Sequence, residues 1–355
     1  MRVLHLAAGN RWTGAAAPAF AEVEALRAEG IDAHYAYVGG YKLQDKLQRV
    51  DFAHPIIAKA QNPRSFVRSV EAIRALLRHH RFDLVHAHLT YDHWLARFAI
   101  RGTPAKLART FHARRVLRSD PATAWLLRRT DAVFVINHGF LETPGIGARA
   151  FFTPPPLDHR QFAPEGHNVR EAYGLGPEAK VIAVIGKLSR DRGFEAALET
   201  FARVRKGVAE ARLMVIGHGE HRPALEGLAS RLGVGTEVIW AGYHEADLAE
   251  HYRAADGLLF TARGSDEGHR AVLEAMACGA IPAVFPLEGM PALLGPLAPR
   301  LMAADATPHS LAGVVTAILR AEDDAALRRR VQERSLEFAY PRAAQRLLSV
   351  YGSLV

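Results

Sequence analysis

Two hydrophobic rhythms take turns along the chain. Short, wholly apolar runs read as buried strands. Between them, apolar residues recur three and four positions apart, as on a helix with one covered face. In the first half this predicts strand Val3–Ala7, helix Pro18–Ala28 ended by Gly30, strand Asp32–Val38 and helix Arg64–His79. Strand Asp83–Ala87, helix Asp92–Ile100, strand Ala105–Thr110, helix Ala122–Arg129 and strand Ala132–Ile136 follow. Strands that are apolar throughout and alternate with helices build a parallel sheet covered on both faces.

Thr153-Pro-Pro-Pro156 interrupts the rhythm and predicts a linker. The alternation then restarts with strand Val181–Ile185, helix Phe194–Arg205, strand Leu213–Ile216, helix Pro223–Leu232 and strand Glu237–Ala241. Helix Asp247–Ala254, strand Gly257–Phe260, a helix carrying Glu274 and ended by Gly279, and strand Ile281–Val284 come next. Helices Pro308–Arg320, Asp324–Arg334 and Pro341–Tyr351 finish the pattern, which contains no internal repeat and no low-complexity tract. The expectation is an α/β chain with two doubly wound domains in tandem.

Composition agrees with a globular enzyme. At 355 residues the chain exceeds one ordinary core. No apolar run approaches the roughly 20 residues that cross a bilayer, and Met1–Gly9 reads as a first strand rather than a leader. The single cysteine, Cys278, cannot form an internal disulfide, which fits a reducing cytoplasm. The net charge of +8 is uneven. Residues 1–170 hold 24 Lys and Arg against 14 Asp and Glu, whereas the remainder holds 21 against 23. Arg97, Arg101, Lys106, Arg109, Arg114, Arg115, Arg118, Arg128 and Arg129 concentrate the excess. Such a surface suits anionic headgroups, phosphorylated acceptors or nucleic acid, and equally a merely solvated basic face.

Candidate chemistry falls at predicted strand ends, where ligands of doubly wound sheets gather. In Gly264–Val284 an acid-rich loop with Asp266 and Glu267 enters the helix of Glu274, with Arg270 near its start. A helix N-terminus suits a phosphate, and a carboxylate one turn in accepts hydrogen bonds from sugar hydroxyls. A surface turn beside a core helix would carry the same acids. Gly186–Gly193 sets Lys187, Arg190 and Arg192 between glycines, where cations can neutralise a diphosphate leaving group; a solvated basic turn would look alike. Gly217-His218-Gly219 permits close backbone approach to a base or phosphate, though an ordinary tight turn has the same composition. His86 and His88 share a strand face, but two histidines without a clear third ligand are poor evidence for zinc, and His86 reads as structural. His112 faces the same end of that sheet. No phosphate-binding Gly-Lys-Ser/Thr loop, Cys-x-x-Cys pair or nucleophile elbow is present.

Taken in order, DLVHAH at 83–88, RTFH at 109–112, TPPPLDHRQF at 153–162, GKLSRDRG at 186–193, VIGHGEHRPALEGLASRLG at 215–233 and the stretch 242–284 resemble retaining glycosyltransferases of family 4. The resemblance implies the GT-B fold, with two Rossmann-like domains facing across a cleft. It implies an acceptor domain at 1–160, a nucleotide-sugar domain at 161–337 and a final helix, 338–355, packed back on the first.

The resemblance also implies residue roles. Lys187 and Arg192 would grip the donor diphosphate and Glu274 the ribose. Asp266 is favoured as the sugar-contacting acid, with Glu267 as the alternative. His112 would face the reaction centre, with His88 and Arg114 on the acceptor side. Gly14, Gly186, Gly217, His218, Gly219, Gly268, His269 and Arg270 would line the donor. The implied reaction moves a sugar from a nucleoside diphosphate to an acceptor hydroxyl with retention, needing no metal or other cofactor. Its expected partners are a nucleotide sugar and a saccharide or lipid-linked acceptor of bacterial polysaccharide, lipopolysaccharide or glycolipid assembly. The expected setting is the cytoplasm, with peripheral contact at the inner membrane face and no nucleic acid. A sugar-nucleotide epimerase or hydrolase on the same fold, or a non-enzymatic module binding polyanions or membranes, are the competing readings.

Overall fold

The computed structural model describes residues 1–9, 12, 14–117, 120–146, 150–262, 269–320 and 324–355. The chain divides into two compact units, Met1–Pro156 with Phe338–Val355, and Leu157–Glu337.

The first unit runs β1 (Arg2–Ala7), α1 (Ala16–Ala28), β2 (Asp32–Val38), α2 (Lys42–Leu47), β3 (Ala53–Ile57) and α3 (Pro63–His80). It continues through β4 (Leu84–Ala87), α4 (Thr90–Ala99), β5 (Lys106–Phe111), α5 (Pro121–Leu127), β6 (Ala132–Val135) and β7 (Ala150–Phe152). All seven strands are parallel, in the order β3-β2-β1-β4-β5-β6-β7. That order reverses between β1 and β4, where His5 and His86 stand directly opposite each other. α3 begins with Pro63, and Asn62 Oδ1 accepts from Ser65 N at 2.9 Å while Ser65 Oγ accepts from Asn62 N at 3.2 Å. One side of the sheet is covered by α1, through Phe20, Val23 and Leu26 on Tyr35 and Phe134. The other is covered by α3 and α4, through Val70, Ile73, Leu77, Leu95 and Ala99 on Leu4, Val85 and Leu107.

The second unit runs β8 (Lys180–Ile185), α6 (Phe194–Arg205), β9 (Ala211–Ile216), α7 (Arg222–Arg231), β10 (Val238–Gly242), α8 (Leu248–Ala254), β11 (Gly257–Phe260) and α9 (Arg270–Ala277). β12 (Ile281–Val284), α10 (Met290–Leu294), α11 (Ala298–Leu301), α12 (Pro308–Arg320) and α13 (Asp324–Ser335) complete it. Its parallel sheet has the order β10-β9-β8-β11-β12, reversing between β8 and β11. Both sheets are therefore doubly wound, as the strand pattern predicts.

The last helix, α14 (Tyr340–Tyr351), rejoins the first unit and packs on α1. Ala344, Leu347, Val350 and Tyr351 enter the core there, and the Tyr340 hydroxyl donates to Glu24 Oε2 at 3.0 Å.

Candidate functional site

In the second unit the candidate residues collect at the carboxyl ends of β8, β9 and β11. The turn after β8 carries Gly186, Lys187 and Leu188, and the turn after β9 carries Gly217, His218 and Gly219. Leu188 N donates to His218 O at 3.0 Å, so the two turns lie against each other. This contact dictates the glycines. A Cβ on Gly217 would stand 1.9 Å from Gly186 O, and one on Gly219 would stand 2.1 Å from Leu188 O. Of the two readings open in the sequence, close approach of a ligand or a tight turn, the backbone contact accounts for the glycines by the second without bearing on a ligand beside them. Lys187 is largely exposed, with Glu220 Oε2 at 3.6 Å from its Nζ. Arg192 ends a short 3-10 turn, and its Nε is covered without a hydrogen-bond partner. His218 meets the exposed Tyr243 ring edge-on, with centroids 5.1 Å apart.

Glu274 sits one turn into α9 and is buried. The Tyr252 hydroxyl donates to its Oε2 at 3.1 Å and Arg270 Nε to its Oε1 at 2.6 Å, which fixes the carboxylate at the N-terminal end of the helix. His269 caps α9 in the left-handed region, φ 51° and ψ 37°, an unusual backbone for a residue other than glycine. Its Nε2 donates to Glu288 O at 2.8 Å, its ring packs edge-on against Phe260, and its Nδ1 is buried without a partner. Asp266, Glu267 and Gly268 lie outside the described residues, as does Arg118.

In the first unit the carboxyl ends of β1, β4 and β5 hold a chain of imidazoles. His5 Nδ1 and His88 Nε2 are 2.9 Å apart, and His88 Nδ1 and His112 Nε2 share a hydrogen bond at 3.0 Å. His112 Nδ1 is covered and has no partner. His86 is structural, held by the Tyr351 hydroxyl at 2.5 Å and by Thr110 Oγ1 at 2.7 Å. Asp92 accepts from Leu89 N at 2.7 Å and from Ala8 N at 2.9 Å, which ties the start of α4 to the turn after β1. Gly14, with φ 60°, lies two residues before α1. Arg114 donates to Thr143 Oγ1 at 3.1 Å and Gly139 O at 3.0 Å, which fastens it to the segment after β6.

Burial sets the ionisation of this cluster. It pushes the Glu22 carboxyl up to about 8 and the imidazoles of His5 and His112 down to about 3. The Asp92 carboxyl rises to about 7, because burial outweighs the opposing pull of Arg109 and the backbone N–H donors. Arg109 corrects the sequence reading: placed among surface cations, it is 1 % exposed, with its Nη1 4.0 Å from Asp92 Oδ1. Its own charge falls to a pKa of about 10, again through burial. His5, Glu22, Asp92 and Arg109 were not singled out as site residues in the sequence. The available signal was a polar residue inside an otherwise apolar strand or helix face.

With this geometry in place, residues 167–337 match the family described as Glycosyl transferases group 1, and residues 12–142 match Glycosyltransferase Family 4. The chain belongs to the family 4 glycosyltransferases. A GDP-mannose-dependent alpha-(1-6)-phosphatidylinositol monomannoside mannosyltransferase of Mycolicibacterium smegmatis is 29 % identical over 224 residues, 55 % of this chain and 58 % of that protein. A D-inositol 3-phosphate glycosyltransferase of Segniliparus rotundus is 31 % identical over 39 % of this chain and 32 % of its own length. The chain thus aligns with little more than half of one relative and a third of the other. Among solved structures, a glycosyltransferase from Rickettsia africae superposes with a TM-score of 0.84 at 15 % identity, covering 99 % of this chain and 98 % of that one. Anabaena HepE in complex with UDP gives 0.83 at 16 % identity, covering 99 % and 100 %. These likenesses define the fold as GT-B.

Proposed function

We propose that the protein transfers a sugar from a nucleoside diphosphate to an acceptor hydroxyl, retaining the anomeric configuration. The observation that carries this reading is the carboxyl edge of the second sheet. There an exposed Lys187, Arg192 whose covered Nε has no hydrogen bond and lies 4.0 Å from Asp191 Oδ2, and a clamped Glu274 one turn into α9 supply what a sugar-bearing diphosphate requires. Lys187 and Arg192 stabilise the diphosphate as negative charge grows on it, and the N–H groups of α9 add to that field. Glu274 accepts from the ribose hydroxyls. The bond from the anomeric carbon to the diphosphate breaks while the bond to the acceptor oxygen forms on the same face, and the departing phosphate oxygen takes the acceptor's proton. His112, oriented through His88, serves the acceptor side, and Asp266 or Glu267 meets the donor sugar.

Because cations of the protein neutralise the diphosphate, the reaction needs no divalent metal there. The neighbour crystallised with UDP supports a nucleotide donor, and the mycobacterial relative's lipid substrate supports a lipid-linked acceptor in cell-surface glycolipid or polysaccharide assembly.

Thermal-shift measurements against UDP, GDP and ADP are expected to single out one diphosphate, since a ligand of the folded form raises its stability. Lys187→Ala combined with Arg192→Ala should abolish that shift and cut turnover by about 100-fold or more, as loss of charge stabilisation at a leaving group does. Added Mg2+ should change the wild-type rate less than about twofold, since no Lewis acid is required. Unchanged donor affinity and rate in the double variant would refute the assignment.

A further inference from the structure

Four buried side chains of the first unit converge on one point, and two of them, His5 and Glu22, keep a buried polar atom without a hydrogen-bond partner. His5 lies on β1, Glu22 on α1, and His86 and His88 on β4; each is at most 1 % exposed. Glu22 Oε2 has no hydrogen-bond partner. Its neighbours are three imidazole nitrogens at nearly equal range: His5 Nδ1 at 3.7 Å, His88 Nε2 at 3.8 Å and His86 Nδ1 at 3.9 Å. One ligand atom from each residue can be chosen so that all four lie within 4.8 Å of one another.

We propose that His5 Nδ1, Glu22 Oε2, His86 Nδ1 and His88 Nε2 form a structural site for a divalent transition metal of the zinc class. Bonds of about 2.0–2.1 Å in a tetrahedral shell place neighbouring ligand atoms about 3.3–3.4 Å apart. The 2.9 Å between His5 and His88 and the 3.7–3.9 Å to Glu22 bracket that edge. Ligating histidines carry an outer partner on the other ring nitrogen, which fixes the ring. His86 has Thr110 Oγ1 at 2.7 Å and His88 has His112 Nε2 at 3.0 Å in that position, whereas His5 Nε2 has none.

Three imidazoles and one carboxylate suit zinc or cobalt, while magnesium and calcium want oxygen throughout. Four protein ligands close the shell, so the ion holds structure rather than activating water. Direct hydrogen bonds are the alternative: His5 to His88, and Tyr351 to His86 at 2.5 Å. They leave the Glu22 oxygen orphaned, and an ion satisfies it. The site staples β1, β4 and α1 at the reversal of strand order and, through His88, orients His112. It belongs to the first unit and is separate from the question of a metal on the donor diphosphate.

The full chain, stripped with a chelator and titrated with Co2+, should take up one ion per chain, develop the intense visible bands of tetrahedral cobalt and gain thermal stability. Zn2+ should displace it. Glu22→Gln should lose those bands and weaken Zn2+ binding by at least about 100-fold, since disturbing even an outer partner of a ligand costs about 10–100-fold. His244→Ala with His251→Ala removes another His/Asp group of the second unit and should leave both readouts intact. Glu22→Met guards against misfolding, because it fills similar space without an orphan oxygen. It should be less stable than the wild type when both are metal-loaded, and at least as stable when both are stripped. Uptake below about a tenth of an ion per chain, octahedral cobalt spectra, wild-type binding by Glu22→Gln, or a Glu22→Met protein more stable in both states would overturn the proposal.

Discussion

Gly217 shows how closely the donor-side turns are built. Its φ of 141° excludes side chains, and a Cβ would press on Gly186 O. Gly217→Ala should therefore destabilise the second unit by about 2–3 kcal/mol, from overpacking plus backbone strain. Denaturant titration would measure that loss, and an unchanged midpoint would contradict the steric account. Cys278 behaves oppositely, as a covered group without a task. Burial pushes its thiol from 9.0 up to about 12, so native protein at pH 8 should resist alkylation that unfolded protein accepts. A raised pKa contributes stability that is intact below 9.0 and is lost as pH climbs toward about 12, because unfolding frees the thiol to ionise. Cys278→Ala should accordingly flatten part of the alkaline fall in Tm between those values. Legibility at this scale followed sequence distance. Lys187, Arg192, His112 and Glu274, the residues proposed for the site, each fall within a short motif. His5 and His88 are 83 positions apart, and only the parallel sheet brings them together.

Three aspartates repeat one device at the level of elements. Asp83 accepts from Arg2 N at 2.7 Å, Asp131 from Leu107 N at 2.8 Å and Asp256 from Val181 N at 2.8 Å. Each stands just before a strand and binds the first or second residue of the neighbouring strand, which helps fix the register of parallel pairs that no hairpin turn could set. Asp256 also receives Arg170 Nη2 at 2.8 Å, while Arg328 Nη2 approaches its other oxygen at 3.6 Å. Asp256→Ala is expected to lower stability by about 1.5–3 kcal/mol, the range for hydrogen bonds to a charged group. A chemical melt reads this directly, and an effect below about 0.5 kcal/mol, typical of surface sites, would remove the register role. The hydrophobic pattern placed the central strands and long helices within a residue or two. It passed over α2, β3, β7, α10 and α11. Both strands lie at sheet edges, β3 interrupted by Pro55 and β7 only three residues long. α2 has six residues, too few to display a helical period.

Charge is divided between the halves of the molecule as the sequence suggests, and the structure adds aromatic rings to it. Trp94 of α4 and Trp125 of α5 stack at 5.7 Å, with Arg129 over Trp125 at 4.2 Å and the exposed Phe98 beside Trp94. Among the described residues no helix is long and apolar enough to cross a membrane. Rings flanked by arginines favour the headgroup layer of an anionic bilayer, which extends the proposed function to peripheral contact. The protein should sediment with vesicles containing phosphatidylglycerol at low salt and be released as salt rises. Replacing Trp94, Trp125 and Arg129 with alanine should lose that binding, and salt-insensitive or unchanged sedimentation would discard the membrane role. One feature of the first unit reaches back to the chain's own synthesis. Its core includes Leu347, Val350 and Tyr351, which leave the ribosome only after the whole second unit. The nascent first sheet must therefore wait with the flank of α1 bare, so the second unit, encoded later, can reach its native state before the first does.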